Sequence, residues 1–272
     1  MICLDISGKI NSRSHFRKPP FMPYRNLPNS DTASLTALRA IVKKQLATPA
    51  ADWPFDAAQG AENAACLALF GQQTGERQTA DALLSHATEL AAAAFNRTRQ
   101  TVSHFIQTMN NGIDRAVLVR EDRAFYNLGL DQRDVPVISS TADVITWANN
   151  VVTGEARRQT AATAAGKIFI PVTFPSATDV QAELGALELL LTEQSNATSK
   201  AQDEQHDVEA VRPRIALCIL EAWDAIEYKY RRMDTPAMRA IAREWGVTYA
   251  SRPGEAPQPG VSPAPGGTPP VV

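Results

Sequence analysis

Three groups of residues in this 272-residue chain are of types that do chemistry. Ser103 and His104 are nucleophile and base by type, yet neighbours on a helix point about 100° apart and cannot pair with each other. Glu221, Asp224 and Glu227 recur every three residues beside Trp223, Tyr228 and Tyr230. Carboxylates so placed can do acid-base work where burial drives their pKa values apart. The plainer reading is a solvated acidic face, with Trp223 and the tyrosines capping the core, polar tip outward. The third group is Arg123, Phe125, Trp147, Glu155, Arg158, Arg243 and Trp245. Arginine beside aromatic rings can frame an anion or peptide pocket, or can serve packing alone through cation-π contact.

Other chemistries find little support. A diiron bundle needs Glu-x-x-His on two helices. The nearest phrase here is Asp203-x-x-His206, and the nearest second histidine, His86, is out of place. The sequence also lacks a glycine-rich phosphate loop, Gly-x-Ser-x-Gly, His-Glu-x-x-His and the kinase phrases. Of the cysteines, Cys3, Cys66 and Cys218, none forms a CxxC pair, and the last two sit in apolar helical stretches as small core hydrophobes. The expectation is no metal, no cofactor and a non-enzymatic role.

Net charge is −2, but residues 1–30 carry about +4, so the body 31–250 is near −6. An acidic body argues against a nucleic-acid partner. No apolar stretch approaches the 18 residues of a membrane span, and Met1-Ile-Cys-Leu-Asp lacks the layout of a secretion signal, which points to a cytoplasmic protein. Residues 1–29 read as a disordered or extended arm, with translation starting at Met1 or Met22. Residues 251–272, with seven prolines and four glycines, read as a disordered tail.

The elements that must position these residues occur twice. Ser30-Asp-Thr-Ala-Ser-Leu35 is echoed by Ser139-Ser-Thr-Ala-Asp-Val144, each followed by an apolar helical pattern, and internal duplication decides architecture early. Asp31 or Ser30 caps a helix lined by Leu35, Leu38, Val42 and Leu46. Ser140 or Thr141 caps one lined by Val144, Trp147, Val151 and Val152. Trp53-Pro-Phe55 and Phe174-Pro175 then lead into long apolar seams. The second runs from Val180 through Leu184, Leu187, Ala201, Val208, Ile215, Ile219, Ala222 and Ile226 to Met233. The first follows at an offset of 120, with Ala64 for Leu184, Phe95 for Ile215, Ile106 for Ile226 and Ile113 for Met233. Asp114, Arg123 and Phe125 meet Asp234, Arg243 and Trp245 at the same offset. Gly71, Gly75 and Pro213 leave open whether each long region is one helix or a hairpin. Lys167-Ile-Phe-Ile-Pro-Val-Thr-Phe174 is the one convincing strand-like stretch, with Val135-Pro-Val-Ile138 as its only partner.

Ser103-His-Phe-Ile-Gln107, Gly154-Glu-Ala-Arg-Arg158, Trp223-Asp-Ala-Ile-Glu227 and Arg243-Glu-Trp-Gly-Val-Thr-Tyr249 resemble phrases of a family of uncharacterised bacterial all-helical proteins. The resemblance spans roughly residues 22–250, implies an all-α fold and brings no activity, cofactor or site.

The reading is therefore all-α. A single helical domain, 30–250, is made of two repeats, 30–126 and 139–249, packed as a long-helix, coiled-coil-like bundle with pseudo-two-fold symmetry. At most a short two-stranded ribbon lies in the central connection. The expected function is a non-enzymatic helical scaffold or protein-protein interaction protein, possessing a protein partner or self-associating. The alternatives are a small-molecule or peptide binder using the arginine-aromatic clusters, and an enzyme without a recognisable motif.

Overall fold

The computed structural model describes residues 24–131, 133–251 and 262–263. Cys3, Met22, most of the amino-terminal arm and most of the carboxy-terminal tail lie outside the described residues. The chain is all-α, with five α-helices among the described residues: α1 (Asp31–Leu46), α2 (Ala57–Asp114), α3 (Thr141–Ala164), α4 (Ala177–Tyr230) and α5 (Thr235–Glu244). Short 3-10 segments cover Ala50–Asp52 and Arg120–Tyr126. No helix among the described residues is long and apolar enough to cross a membrane.

Local chemistry sets the helix starts. Ser30 accepts the Ala33 amide at the head of α1. Asp56 accepts the Gln59 amide at α2, and Ser176 accepts the Asp179 amide at α4, 120 residues further on. At α3 the cap is reciprocal. Ser140 Oγ accepts the Asp143 amide, and the Asp143 carboxylate accepts the amides of Ser139 and Ser140 at 3.1 and 2.9 Å.

These serine hydrogen bonds, that of the Ser140 side chain first, hold the Asp143 carboxyl below its ordinary 3.8, and Ser176 does the same for Asp179. A carboxyl whose folded pKa is depressed stabilises the fold fully above its unfolded value. That contribution is lost as pH falls through the folded value. Thermal melts followed by circular dichroism should therefore show a loss of stability below about pH 4, and Asp143→Asn should make that loss shallower.

Each long region is one helix. Pro213 sits inside α4 on an exposed face, where water can satisfy the carbonyl it strands. Along α4 the buried positions are Val180, Leu184, Leu187, Ala201, Glu204, Val208, Ile215, Cys218, Ile219, Ala222, Trp223 and Ile226, close to the expected seam, whereas Met233 is exposed. On α2 the burial differs at the start. Ala64 is exposed, and Asn63, Cys66 and Phe70 face inward instead. On α1 the buried stripe is Ala37, Leu38, Ile41 and Gln45, and Leu46 is exposed. That rotation places Ala37 and Ala40 beneath the backbone of Gly246, which a bulkier face would exclude.

The chain forms two compact units. One joins the residues up to Gln72 with those from Val211 onward; the other is Gln73–Ala210. The division cuts each expected repeat, because it falls inside both α2 and α4. In the first unit, Trp53 donates its Nε1–H to the carbonyls of Gln45 and Thr48, and Arg212 grips Asp31 through two 2.8 Å bonds. The Cys218 thiol points to Asn63 Oδ1 at 3.3 Å. Three short strands lie in the order β1 (Tyr24–Arg25), β2 (Tyr249–Ser251), β3 (Ser262–Pro263), antiparallel then parallel. Three residues of the stretch 251–272 read as a disordered tail, Ser251, Ser262 and Pro263, are thus strand.

In the second unit, the core is built from Val102, Phe105, Ile106 and Met109 of α2, Val144, Ala148 and Val151 of α3, and Val180, Leu184 and Leu187 of α4. Thr98 donates to the Glu183 carbonyl at 3.1 Å. No residue is buried between Ala80 and Ala91 of α2 or between Leu187 and Ala201 of α4.

The ribbon expected in the central connection is absent: neither 135–138 nor 167–174 is strand. Two backbone groups of the extended segment after α3, the Ile170 carbonyl and the Val172 amide, are met by side chains of α3 instead.

Candidate functional site

The residues that meet that segment are Glu155 and Arg158, one helical turn apart on α3 and both buried. Arg158 Nη2 donates to the Ile170 carbonyl at 2.7 Å, and the Val172 amide donates to Glu155 Oε1 at 2.9 Å. Two side chains thus take the place of a neighbouring strand. Arg158 is also fixed to Glu155 through Nη2 at 2.9 Å, lies 3.8 Å from Asp122, and stacks 4.7 Å from the Phe169 ring centroid.

Tyr126 closes the cluster. Its hydroxyl donates to Glu155 Oε2 and accepts from Arg158 Nε at 2.9 Å. Burial first, and then the carboxylate, push this phenol well above its usual range. Burial works against the charge on Arg158, but the bonds to Glu155 and the pull of Tyr126 and Glu155 more than offset it and raise its pKa. Both oxygens of Glu155 are occupied from inside the protein. This cluster clamps a connection; it does not hold out a reactive group.

The seven residues expected to frame a pocket fall into both units. Arg123, Phe125, Trp147, Glu155 and Arg158 belong to Gln73–Ala210, whereas Arg243 and Trp245 belong to the other unit. Trp245 is core, edge-on to Phe55 at 5.6 Å, and Arg243 lies 5.9 Å from the Tyr249 ring centroid. Phe125 and Trp147 are half-buried against the second core. The Phe125 carbonyl accepts Arg157 Nη2 at 2.6 Å. Arg123 donates to the Gly129 carbonyl and to Asn110 Oδ1.

The other candidates do not assemble into catalytic groups. Ser103 Oγ donates to the Arg99 carbonyl at 2.8 Å, and His104 is exposed beside it on an open polar groove with Asn96, Gln107 and Pro136. Asp224 and Glu227 both face Arg25, at 2.5 and 3.5 Å, and Glu227 Oε1 accepts the Tyr249 hydroxyl at 2.7 Å. Those acids tether β1 and β2 to α4. Trp223, expected to turn its polar tip outward, is fully buried instead, because its place on α4 faces the core between Ala222 and Ile226. Cys66 and Cys218 are buried free thiols, and desolvation first of all raises both their pKa values. His206 and His86 are exposed, and no group of three metal-ligating side chains occurs among the described residues.

Sequence reasoning missed the residues around Arg123, namely Asn110, Arg120 and Arg133. Arg120 and Arg123 share a face at i, i+3, which was the available signal. No known protein family, no curated protein and no solved structure matches this chain.

Proposed function

We propose that this is a non-enzymatic helical interaction protein of the cytoplasm, without a nucleic-acid partner, which binds a protein through an apolar collar on the unit Gln73–Ala210. The observation that carries this reading is the contrast between two kinds of side chain on one connection. Glu155, Arg158 and Tyr126 are spent on each other and on the backbone, while Ile168, on the segment they clamp, is 90% exposed. Val117, Val119 and Ile170 are exposed around the same 280 Å³ cavity, with Phe169, Ala161, Ala162 and Ala165 in its wall. Exposed apolar groups gathered on a rigid support mark contact surfaces.

The favoured occupant is a second copy of this chain. An extended apolar segment can lie antiparallel against its own copy, which closes the contact on a two-fold axis and leaves no open edge. Light scattering after size exclusion should show a concentration-dependent dimer. Ile168→Glu should return it to a monomer with an unchanged circular dichroism spectrum, since that side chain touches little of its own protein. A wild type that stays monomeric across concentrations contradicts self-association.

The chain also reads as a doubled ancestral unit. Support comes from the order short helix, long helix, short helical segment, which occurs twice. The caps Asp56 and Ser176 stand 120 residues apart. Asn63 with Cys218 and Glu183 with Thr98 are the same two positions, shifted by 120 with partners exchanged. Both halves also end alike. The Leu128 amide donates to the Arg123 carbonyl and the Val247 amide to the Ala242 carbonyl. That alignment matches Tyr126, not Phe125, with Trp245.

A further inference from the structure

We infer that Arg123, with Arg120 and Arg133, forms a binding site for a single oxyanion group, a phosphate or a carboxylate, in the unit Gln73–Ala210. Arg123 is 3% exposed, yet no carboxylate among the described residues pairs with it. Its Nε donates to the Gly129 carbonyl at 2.7 Å and its Nη1 to Asn110 Oδ1, which fixes the plane of the guanidinium. Its Nη2 is buried without a hydrogen-bond partner among the described residues, and the residue lines a 230 Å³ cavity with Asn110, Asp114, Arg120, Asp131 and Arg133.

A buried charge left unpaired is costly, and a held guanidinium with an idle N–H is half of a charge-assisted hydrogen bond. The other groups around the cavity decide the chemistry of the ligand. Asn110 is partly used: its Oδ1 accepts Arg123 and one N–H of its Nδ2 donates to the Arg133 carbonyl at 2.9 Å, which leaves its second N–H as a further donor. Arg120 donates Nε to the Leu130 carbonyl at 2.8 Å and pairs with Asp131; Arg133 pairs with Asp114 at 2.9 Å. Both pairs are largely exposed and therefore weak and exchangeable.

Three guanidiniums against two carboxylates leave one positive charge in excess. Burial first, and then Arg120 and Arg133, lower the pKa of Arg123, as expected where positive charge is not neutralised. The cavity thus presents guanidinium donors beside two exchangeable carboxylates, Asp114 and Asp131, and an acceptor-only ligand can take the place of either. Its volume suits one oxyanion group, free or at the end of a larger molecule, better than a nucleotide.

Calorimetric titration of the full chain with sodium phosphate and, separately, with sodium acetate tests this, at ionic strength held constant with sodium chloride. Saturable binding of phosphate, of acetate or of both supports the site and identifies the group it takes. The doubly substituted Arg120→Gln, Arg133→Gln protein, altered only at exposed side chains, should bind about tenfold more weakly or worse. Asp131→Asn, which removes a competing carboxylate, should bind more tightly. Arg123→Met should abolish binding. If neither ion binds beyond the chloride control, or if the doubly substituted protein binds as the wild type does, the inference is overturned. The result is independent of self-association, because Ile168 lies outside this cavity.

Discussion

Glu155→Ala should cost about 3–5 kcal/mol of stability, the cost of removing one partner from a buried ion pair. The carboxylate accepts from Arg158, Tyr126 and the Val172 amide, all in a buried setting. Its loss strands a guanidinium, a phenol hydroxyl and a backbone amide together, and a stranded buried polar group costs more than its bond contributed. Chemical unfolding followed by circular dichroism checks this. Arg158→Met in the Glu155→Ala background should recover a large part of the loss, because an apolar pair tolerates burial. A cost below about 1 kcal/mol would show the cluster to be an ordinary surface pair.

Gly246→Ala should be the second large effect, in the other unit. Gly246 has φ +88, a left-handed conformation that costs an L-residue about 1–2 kcal/mol. An added Cβ would also stand 2.6 Å from the Cβ of Ala40 and 3.2 Å from the Ala37 carbonyl oxygen. Those atoms belong to the body of α1, so the helix itself must move, at about 1–3 kcal/mol more. Gly71→Ala is the internal control. It lies in α2 with nothing within 4 Å of an added Cβ, so the substitution should stabilise the protein by about 0.5–1 kcal/mol. Equal effects from the two would remove the argument for close approach at Gly246.

Much of the helical frame was legible because its causes are local. A serine before an apolar repeat caps the helix by bonding to its own first turn, as read at Ser30 and Ser140. The seam of α4 was legible because its spacing of three and four persists through a polar middle. The face of α1 was misread, since Ala37 and Gln45 carry little hydrophobic signal and face inward through contacts made by distant residues, Gly246 and Trp53. The segment 167–174 was misread for a related reason. Its strand-like composition is real, but at its centre, at Ile170 and Val172, the backbone bonds to the side chains of Arg158 and Glu155 and not to a second strand. Residue-type reasoning gathered both under the heading of possible chemistry.

The same blind spot explains the candidate site. Arginine beside aromatic residues is one pattern with two outcomes, and burial with its partners separates them. Arg158 has a carboxylate of its own, whereas Arg123 is equally buried and has only carbonyl acceptors.

Hydrogen exchange across a protein concentration series tests the proposed contact most directly. The account predicts that amides at 167–170 and 117–119 become more protected as concentration rises, while Leu83, Leu90, Leu189 and Leu217, the exposed leucines of the long helices, do not change. Protection that ignores concentration at 167–170, or that grows along the long helices instead, would contradict it.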